Sequence, residues 1–393
     1  MKNIAILITK LTGGGAERAA ANLSIELSAF YNVKIIVFDG ENQTYSHGGE
    51  LIDLKLPPRE SRIGKLVNIV KRVVALKKIK KKYNIEHSIS FLDGPNLINV
   101  LSKRNEKTIV SVRNFMSLSK KKNYFLTKIL TKFILKRADK IVAVAKAIEI
   151  DLIKNYSANE HKTLTINNYC DEKRLMDLAN QKDTSNIINM DEDNKYIVTA
   201  GRLTQQKGHW HLIRAYKRVV EKVPNSKLII LGEGVYKNKL IKLSRDLGLE
   251  NNIIMPGYIN NPHKIISKSH VFAFPSLYEG FSNALLEAMA CKIAIVTSDC
   301  DSGSREIIAP DTPFDKKTKE IEFARFGIIT PVCDYNQFNA EVPLTREEKI
   351  LSNALIEMLT NESLRTYYAK NSRNRLKDFS PQIITERWRT IID

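Results

Sequence analysis

Two glutamates, Glu279 and Glu287, bracket the run Glu279-Gly280-Phe281-Ser282-Asn283-Ala284-Leu285-Leu286-Glu287. Ionised carboxylates accept hydrogen bonds from sugar hydroxyls in defined directions. Just before them, the apolar stretch Val271–Phe274 runs into Pro275 and reads as a buried strand ending in a breaker. A strand that stops, a loop carrying one carboxylate and a helix carrying another can build a site for a hydroxyl-rich, phosphate-bearing ligand. A helix beginning at Asn283-Ala284 offers its first N–H groups to phosphate.

A second element carries positive charge. Gly201-Arg202-Leu203-Thr204-Gln205-Gln206-Lys207-Gly208 follows a strand pattern and precedes a helical run near His209. Glycine lets backbone approach a ligand closely. Arg202 can grip phosphate with two parallel hydrogen bonds, and Lys207 adds a compact point charge. Two cations so spaced at the carboxyl end of a strand suit a pyrophosphate. Gly232-Glu233-Gly234 and Met255-Pro256-Gly257-Tyr258 also follow strand patterns, so each is either a loop wrapping a nucleobase or a plain connection. Gly13-Gly14-Gly15, with Arg18 one helical turn on, is a glycine-rich first turn but not the G-x-G-x-x-G pattern. Asp299-Cys300-Asp301 imitates a metal-binding D-x-D, yet no further acid is spaced to complete a site, and no metal is expected. The seven histidines lack zinc-ligand spacing; His209 and His211, flanking Trp210, are read as packing or supporting residues.

These motifs need a frame. Strand patterns at Ile4–Thr9 and Val33–Phe38 enclose a helical pattern over Ala16–Ala29, which is a βαβ unit and predicts a parallel sheet. Further strands are expected at His87–Phe91, Thr108–Val112 and Lys140–Ala145, then at Tyr196–Ala200, Leu228–Leu231, Ile253–Pro256, Val271–Phe274 and Ile293–Thr297. The polar stretch Arg174–Asn194 reads as a linker, and Phe379–Ile392 as a final helix. The predicted fold class is α/β, with two Rossmann-like parallel-sheet domains. The first covers 1–173, the second 190–377, and the helix of 378–393 returns to the first.

At 393 residues the chain suits two cores. Its net charge of +19 is unevenly placed: residues 1–190 hold 33 Lys and Arg against 18 Asp and Glu, the remainder 29 against 25. The first half should therefore face something anionic. Nine Lys and Arg and no acid lie between Ser61 and Ile85, where Leu66, Ile69, Val70 and Val73 form one helical face. Phe125, Leu126, Ile129, Leu130, Phe133 and Ile134 mark a second amphipathic helix behind Lys120-Lys121-Lys122. Each helix is either core-packed with a solvated basic back or laid on an anionic membrane surface. The four cysteines, without C-x-x-C spacing, are read as reduced cytosolic thiols. Met1–Ile8 reads as a first strand rather than a leader, and no apolar run is long enough to span a bilayer.

With these motifs in hand, the chain resembles retaining glycosyltransferases of family 4, end to end. Gly13-Gly14-Gly15-Ala16-Glu17-Arg18 is similar to that family's first loop, and Thr165-Ile166-Asn167-Asn168-Tyr169-Cys170-Asp171 to the element closing its first domain. Gly201–Gly208 resembles its phosphate loop, Glu279–Glu287 its paired-glutamate signature, and Ser302-Gly303-Ser304-Arg305-Glu306-Ile307 the segment that follows. The resemblance implies the GT-B fold, two domains facing a central cleft, the first taking the acceptor and the second the nucleotide sugar. It implies that Arg202 and Lys207 neutralise the donor diphosphate, Glu279 contacts the transferred sugar and Glu287 holds the ribose. Gly280 and Phe281 would present backbone N–H groups beside the sugar, and Ser282, Asn283, Ala284 and Leu285 the helix start beside phosphate. Gly14, Gly15, Gly201, Gly232, Gly257 and Tyr258 complete the donor side. Arg18, Arg113 and Asn114 are acceptor-side candidates. Arg113 stands where many relatives carry a histidine, so it either holds an acceptor phosphate or is a structural arginine. Lys292 directly follows Cys291 where relatives often have glycine.

The function so implied is transfer of a sugar from a nucleotide sugar, uridine-linked, to a glycan on polyprenyl diphosphate, in capsule, O-antigen or related surface polysaccharide synthesis. No metal cofactor and no nucleic-acid partner are expected. The location implied is the cytoplasmic face of the cell membrane, held peripherally at its anionic inner leaflet. Two other readings exist: a basic nucleic-acid- or membrane-binding protein on a degenerate scaffold, and a soluble disaccharide synthase of the same fold.

Overall fold

A computed structural model describes residues 1–117, 124–181, 188–334 and 338–393. Chain contacts divide it into two units, Met1–Tyr169 with Pro381–Asp393, and Cys170–Ser380.

In the first unit, seven strands form one parallel sheet. They are β1 (Asn3–Ile8), β2 (Asn32–Val37), β3 (Glu50–Asp53), β4 (His87–Phe91), β5 (Lys107–Val112), β6 (Lys140–Ala143) and β7 (Thr163–Thr165), in the order β3-β2-β1-β4-β5-β6-β7. Helices α1 (Gly15–Leu27), α2 (Arg62–Lys82), α3 (Asp93–Leu101), α4 (Tyr124–Arg137) and α5 (Lys146–Tyr156) connect them. Ile4 to Ile8 are buried throughout, because a parallel strand covered on both faces needs an unbroken apolar run. Ile4, Ile6 and Ile8 share a core with Ala20, Leu27 and the C-terminal helix residues Ile384, Trp388 and Ile392. Ala5 and Leu7 point the other way, towards Leu76 of α2 and Ile98 of α3. The strand order reverses between β1 and β4, and the glycine-rich turn follows β1 at that switch point.

The second unit repeats the plan. Its sheet runs β10-β9-β8-β11-β12-β14-β13, parallel except for the antiparallel edge β13. The strands are β8 (Lys195–Ala200), β9 (Ser226–Leu231), β10 (Ile253–Gly257), β11 (Val271–Phe274), β12 (Ala294–Ser298), β13 (Glu322–Ala324) and β14 (Gly327–Thr330). Helices α6 (Glu172–Asn180), α7 (His209–Lys222), α8 (Lys237–Asp246), α9 (His263–Lys268), α10 (Asn283–Ala290), α11 (Ser304–Ile308), α12 (Arg346–Thr360) and α13 (Glu362–Leu376) surround it. Here the reversal falls between β8 and β11, whose carboxyl ends carry the Gly201 loop and the Glu279 loop.

Three expectations change. The stretch read as a linker from Arg174 begins inside α6, which Asp171 caps through a 3.0 Å bond from the Arg174 N–H. Leu175 and Ala179, one turn apart, bury its inner face. Residues 182–187 of that stretch, like Lys120-Lys121-Lys122, lie outside the described residues. On α2, Ile69 and Val73 pack on the core, whereas Leu66 and Val70 face outwards at 66% and 62% exposure. Finally, the last helix starts at Pro381, whose missing N–H suits a first helical position, and not at Phe379. All four cysteines are buried and unbridged.

Candidate active site

Three strand ends make the floor of the site. Gly201 follows β8, Gly232 follows β9 and Gly257 ends β10. The Gly201 N–H donates to the Leu231 carbonyl at 2.9 Å, and the Gly232 N–H to the Gly257 carbonyl at 2.9 Å. A Cβ on Gly232 would stand 2.0 Å from the Gly201 carbonyl oxygen, so a side chain there would force the strand ends apart. Tyr258, just past β10, is exposed.

The phosphate-loop candidate is fastened to the end of β11. Gly208 has φ +60°, and a Cβ on it would meet the Pro275 carbonyl at 2.3 Å. The Leu277 N–H donates to the Gln206 carbonyl at 2.8 Å, and the Gln206 amide to the Tyr278 carbonyl at 3.0 Å. This stitching brings Lys207 and Glu279 together across 72 positions of chain: Nζ lies 2.7 Å from Oε1, with both side chains largely buried. The Lys207 ammonium also sits over the Phe274 ring, 4.7 Å from its centroid. Arg202 is exposed.

Beyond Glu279, Gly280 accepts a hydrogen bond from the Ser302 hydroxyl, which fixes the turn. The Phe281 ring is buried, 5.6 Å from that of Phe379. Ser282 caps α10 without a side-chain cap bond, and its buried hydroxyl has no partner among the described residues. A buried hydroxyl left so costs free energy until something accepts or donates to it. Asn283 and Ala284 are half-buried, and Leu285 lies in the core and lends only backbone. Glu287, one turn into α10, is partly exposed; His263 Nε2 is 3.6 Å from its Oε2.

Other motifs serve the frame. Asp299 is clamped by Arg305 through bonds of 3.0 and 2.7 Å and also accepts from the Thr318 N–H at 2.7 Å. Asp301 pairs with Lys317 at 2.9 Å. Among the described residues no group of three or more His, Cys, Asp or Glu is placed to hold a metal ion. His211 reaches Glu348 at 2.7 Å and the Asp334 carbonyl. Burial and the nearby Lys207 push the His209 imidazole down to about 3, so it stays neutral.

The first unit holds its own candidates. Gly14 caps α1 and Gly15 begins it, while the Arg18 N–H donates back to the Gly14 carbonyl at 3.0 Å. Arg113 is 9% exposed, with its guanidinium on Asn168 and over the Phe91 ring. Burial pulls it down to about 9, against the opposing pull of Glu17. Asn114 is exposed. Sequence reasoning passed over His263 and its neighbour Asn261, for they carry no motif; only their place after the β10 loop hinted at the site.

Comparison with known proteins fits this geometry. Residues 13–174 match the family model described as Glycosyltransferase Family 4, and residues 180–319 that described as Glycosyl transferases group 1. An uncharacterized glycosyltransferase of Methanocaldococcus jannaschii is 34% identical over 340 residues, 83% of each chain. The Campylobacter jejuni N-acetylgalactosamine-N,N'-diacetylbacillosaminyl-diphospho-undecaprenol 4-alpha-N-acetylgalactosaminyltransferase is 31% identical over 389 residues, 96% of each chain. An Anabaena protein, solved in complex with UDP and glucose, matches with a TM-score of 0.76 and 15% identity, covering 100% of this chain and 99% of that one. The fold is thus of the GT-B class. The chain belongs to glycosyltransferase family 4 and is a glycosyltransferase.

Proposed function

We propose that the protein moves a sugar, with retention of configuration and without a metal ion, from a uridine diphosphate sugar to a glycan carried on polyprenyl diphosphate. The observation that carries this is the Lys207–Glu279 pair, seated between glycine-lined strand ends and the unpartnered Ser282 hydroxyl. An arriving diphosphate gives the Lys207 ammonium a second anion, and Glu279 can then turn to the hydroxyls of the sugar. Arg202, exposed at the same loop, is free to swing onto the phosphates. As the bond from the anomeric carbon to phosphate breaks, charge grows on the departing diphosphate. Fixed cations and a helix start stabilise that charge more than they stabilise the bound donor, which is what lowers the barrier. The acceptor oxygen attacks from the same face, and its proton leaves with the diphosphate.

The Campylobacter relative is named for a diphospho-undecaprenol acceptor, and the Anabaena structure holds UDP, which supports both substrate classes. A place at the cytoplasmic leaflet is supported by two helices of the first unit. Ile63, Leu66, Val67, Val70 and Val74 of α2, and Phe125, Leu126, Ile129, Leu130 and Phe133 of α4, are exposed. Arg62, Lys65, Lys71, Lys132, Lys136 and Arg137 stand exposed among them. Apolar side chains flanked by cations suit an anionic lipid surface. Among the described residues no helix is long and apolar enough to cross a membrane. The product would enter capsule, O-antigen or related surface polysaccharide.

The test is transfer from a panel of UDP sugars to a synthetic polyprenyl-diphosphate glycan, with EDTA present. Lys207→Ala and Glu279→Ala should each lower turnover by about 10²–10³, the size of a lost transition-state donor, with unchanged circular dichroism. Wild-type rates in both variants, or no transfer from any UDP sugar, would overturn the proposal.

A further inference from the structure

Glu287 meets a buried histidine on the side away from solvent. His263 opens α9 and is 3% exposed. Its Nδ1 lies 3.1 Å from Asn261 Oδ1. The Asn261 amide nitrogen donates to the Leu178 carbonyl at 2.7 Å and to Gln181 Oε1 at 3.3 Å. Those bonds fix the amide so that its oxygen faces the ring, and Nδ1 therefore carries hydrogen. The other ring nitrogen, Nε2, is buried with no hydrogen-bond partner among the described residues and stands 3.6 Å from Glu287 Oε2. That is too long for a hydrogen bond and too close for indifference.

We propose that His263 is a positioning residue, which locks Glu287 by an Nε2–H hydrogen bond and so sets the affinity for the donor's ribose. The inference rests on the assignment of Glu287 to the ribose hydroxyls. With Nδ1–H already given to Asn261, the lock needs a hydrogen on Nε2 as well, aimed at the carboxylate. Closing the 3.6 Å approach by a small side-chain rotation gives a charge-assisted bond. It also satisfies a nitrogen that is otherwise orphaned. A carboxylate held this way loses less freedom when sugar hydroxyls bind, and pre-organisation of that kind raises affinity. The chain of contacts runs from Leu178 on α6 through Asn261 and His263 to Glu287 on α10. The chain ahead of α9 is thus wired to the carboxylate on α10, to which α9 also packs.

The test uses the full-length protein, calorimetry, and two probes, UDP and 2′,3′-dideoxy-UDP. His263→Asn should weaken UDP binding about tenfold, a loss of about 1.4 kcal/mol, and leave dideoxy-UDP within about twofold. His263→Gln, whose amide reaches towards the Nε2 position, should keep most of the UDP affinity. If His263→Asn does not fold, His263→Phe, which keeps the volume and has no donor, gives the same contrast. Unchanged UDP affinity in the Asn or Phe variant, or equal loss for both probes, overturns the positioning role. Failure of the wild type itself to prefer UDP over its dideoxy analogue overturns instead the assignment of Glu287 to ribose.

Discussion

The two units share one plan, yet they treat their outer helices in opposite ways. In the second unit α7 buries Trp210, Leu212, Ile213, Ala215, Tyr216 and Val219, and even its polar residues His209, His211 and Arg214 are inside. In the first unit α4 leaves Phe125 and Leu126 at 73% and 64% exposure. Both interiors are tightly specified, for the first also holds a buried ion pair, Lys80–Glu106 at 2.6 Å with 1% exposure on each side. The difference therefore lies in what the surface is for. α7 follows directly on the Lys207 loop, and its burial holds that loop still. α2 and α4 keep apolar surface in water, which is costly unless another phase takes it up.

The largest expected effect tests the rigidity of the second unit. Glu348 is fully buried and binds Arg214 at 2.8 and 3.0 Å and His211 at 2.7 Å. Burial pushes its carboxyl up, but the His211 and Arg214 hydrogen bonds outweigh that and hold it below the usual range. Arg214 in turn holds the carbonyls of Asn339, Val342 and Pro343. Glu348→Ala strands the guanidinium, and about 3–5 kcal/mol of stability should be lost, read from the urea midpoint. A loss under about 1 kcal/mol would mean that α7 is not held by this network.

Acid should act on the same helix. The folded His209 sits at about 3, displaced downwards by burial and then by Lys207. In the unfolded chain it takes its ordinary value near 6.5. Between those values the unfolded state binds a proton that the folded state refuses. Stability is therefore complete above about pH 6.5 and falls by about 1.4 kcal/mol per pH unit below it. His209→Phe should flatten that slope in denaturation curves taken from pH 7 to about pH 4.5; a parallel slope in the variant would place the acid sensitivity elsewhere.

For the first unit the expectation concerns lipid. Leu126→Asp with Ile129→Asp should lower binding to phosphatidylglycerol vesicles more than about tenfold, since each apolar side chain withdrawn from lipid is worth about 1.5–3 kcal/mol. Raising salt should weaken wild-type binding by screening the cations. Tyr367→Asp, at an exposed site on the second unit, should leave binding unchanged. Equal losses from both changes would erase the contrast between the units.

How much of this was readable beforehand follows from burial. Val271–Phe274 and His87–Phe91 come out with the expected limits, because buried parallel strands are mostly apolar or small, His87 excepted. β3, β7, β13 and β14 escaped notice: the first three are short and mostly half-exposed or exposed, and β14, though buried, is only four residues long, so no pattern distinguishes them from loop. Periodicity found α2 but not its orientation. The helix carries two apolar stripes, one on the core through Ile69, Val73 and Leu76 and one outwards through Leu66 and Val70, and a period of 3.6 cannot say which faces in. Individual site residues were legible as types at the ends of strands. Their meeting was not, because Lys207 is brought to Glu279 by a backbone bond from Leu277 to Gln206 and a bond from the Gln206 side-chain amide to the Tyr278 carbonyl.

The smallest expected effect separates a cap from the network behind it. Thr345 caps α12: its hydroxyl accepts from the Glu348 N–H at 3.2 Å, and Glu348 Oε2 accepts from the Thr345 N–H at 3.0 Å. Thr345→Ala removes the first bond and leaves Glu348 with Arg214 and His211, so about 1 kcal/mol should be lost. On the first unit Ser61 caps α2 with one bond of 3.1 Å from the Gly64 N–H, in a fully exposed place. Ser61→Ala should cost less, about 0.5 kcal/mol, because water can take over an exposed N–H. Denaturation of both variants reads the difference directly. If Thr345→Ala costs as much as Glu348→Ala, the hydroxyl and not the guanidinium organises the buried cluster, and the contrast between the two units shrinks to one helix start.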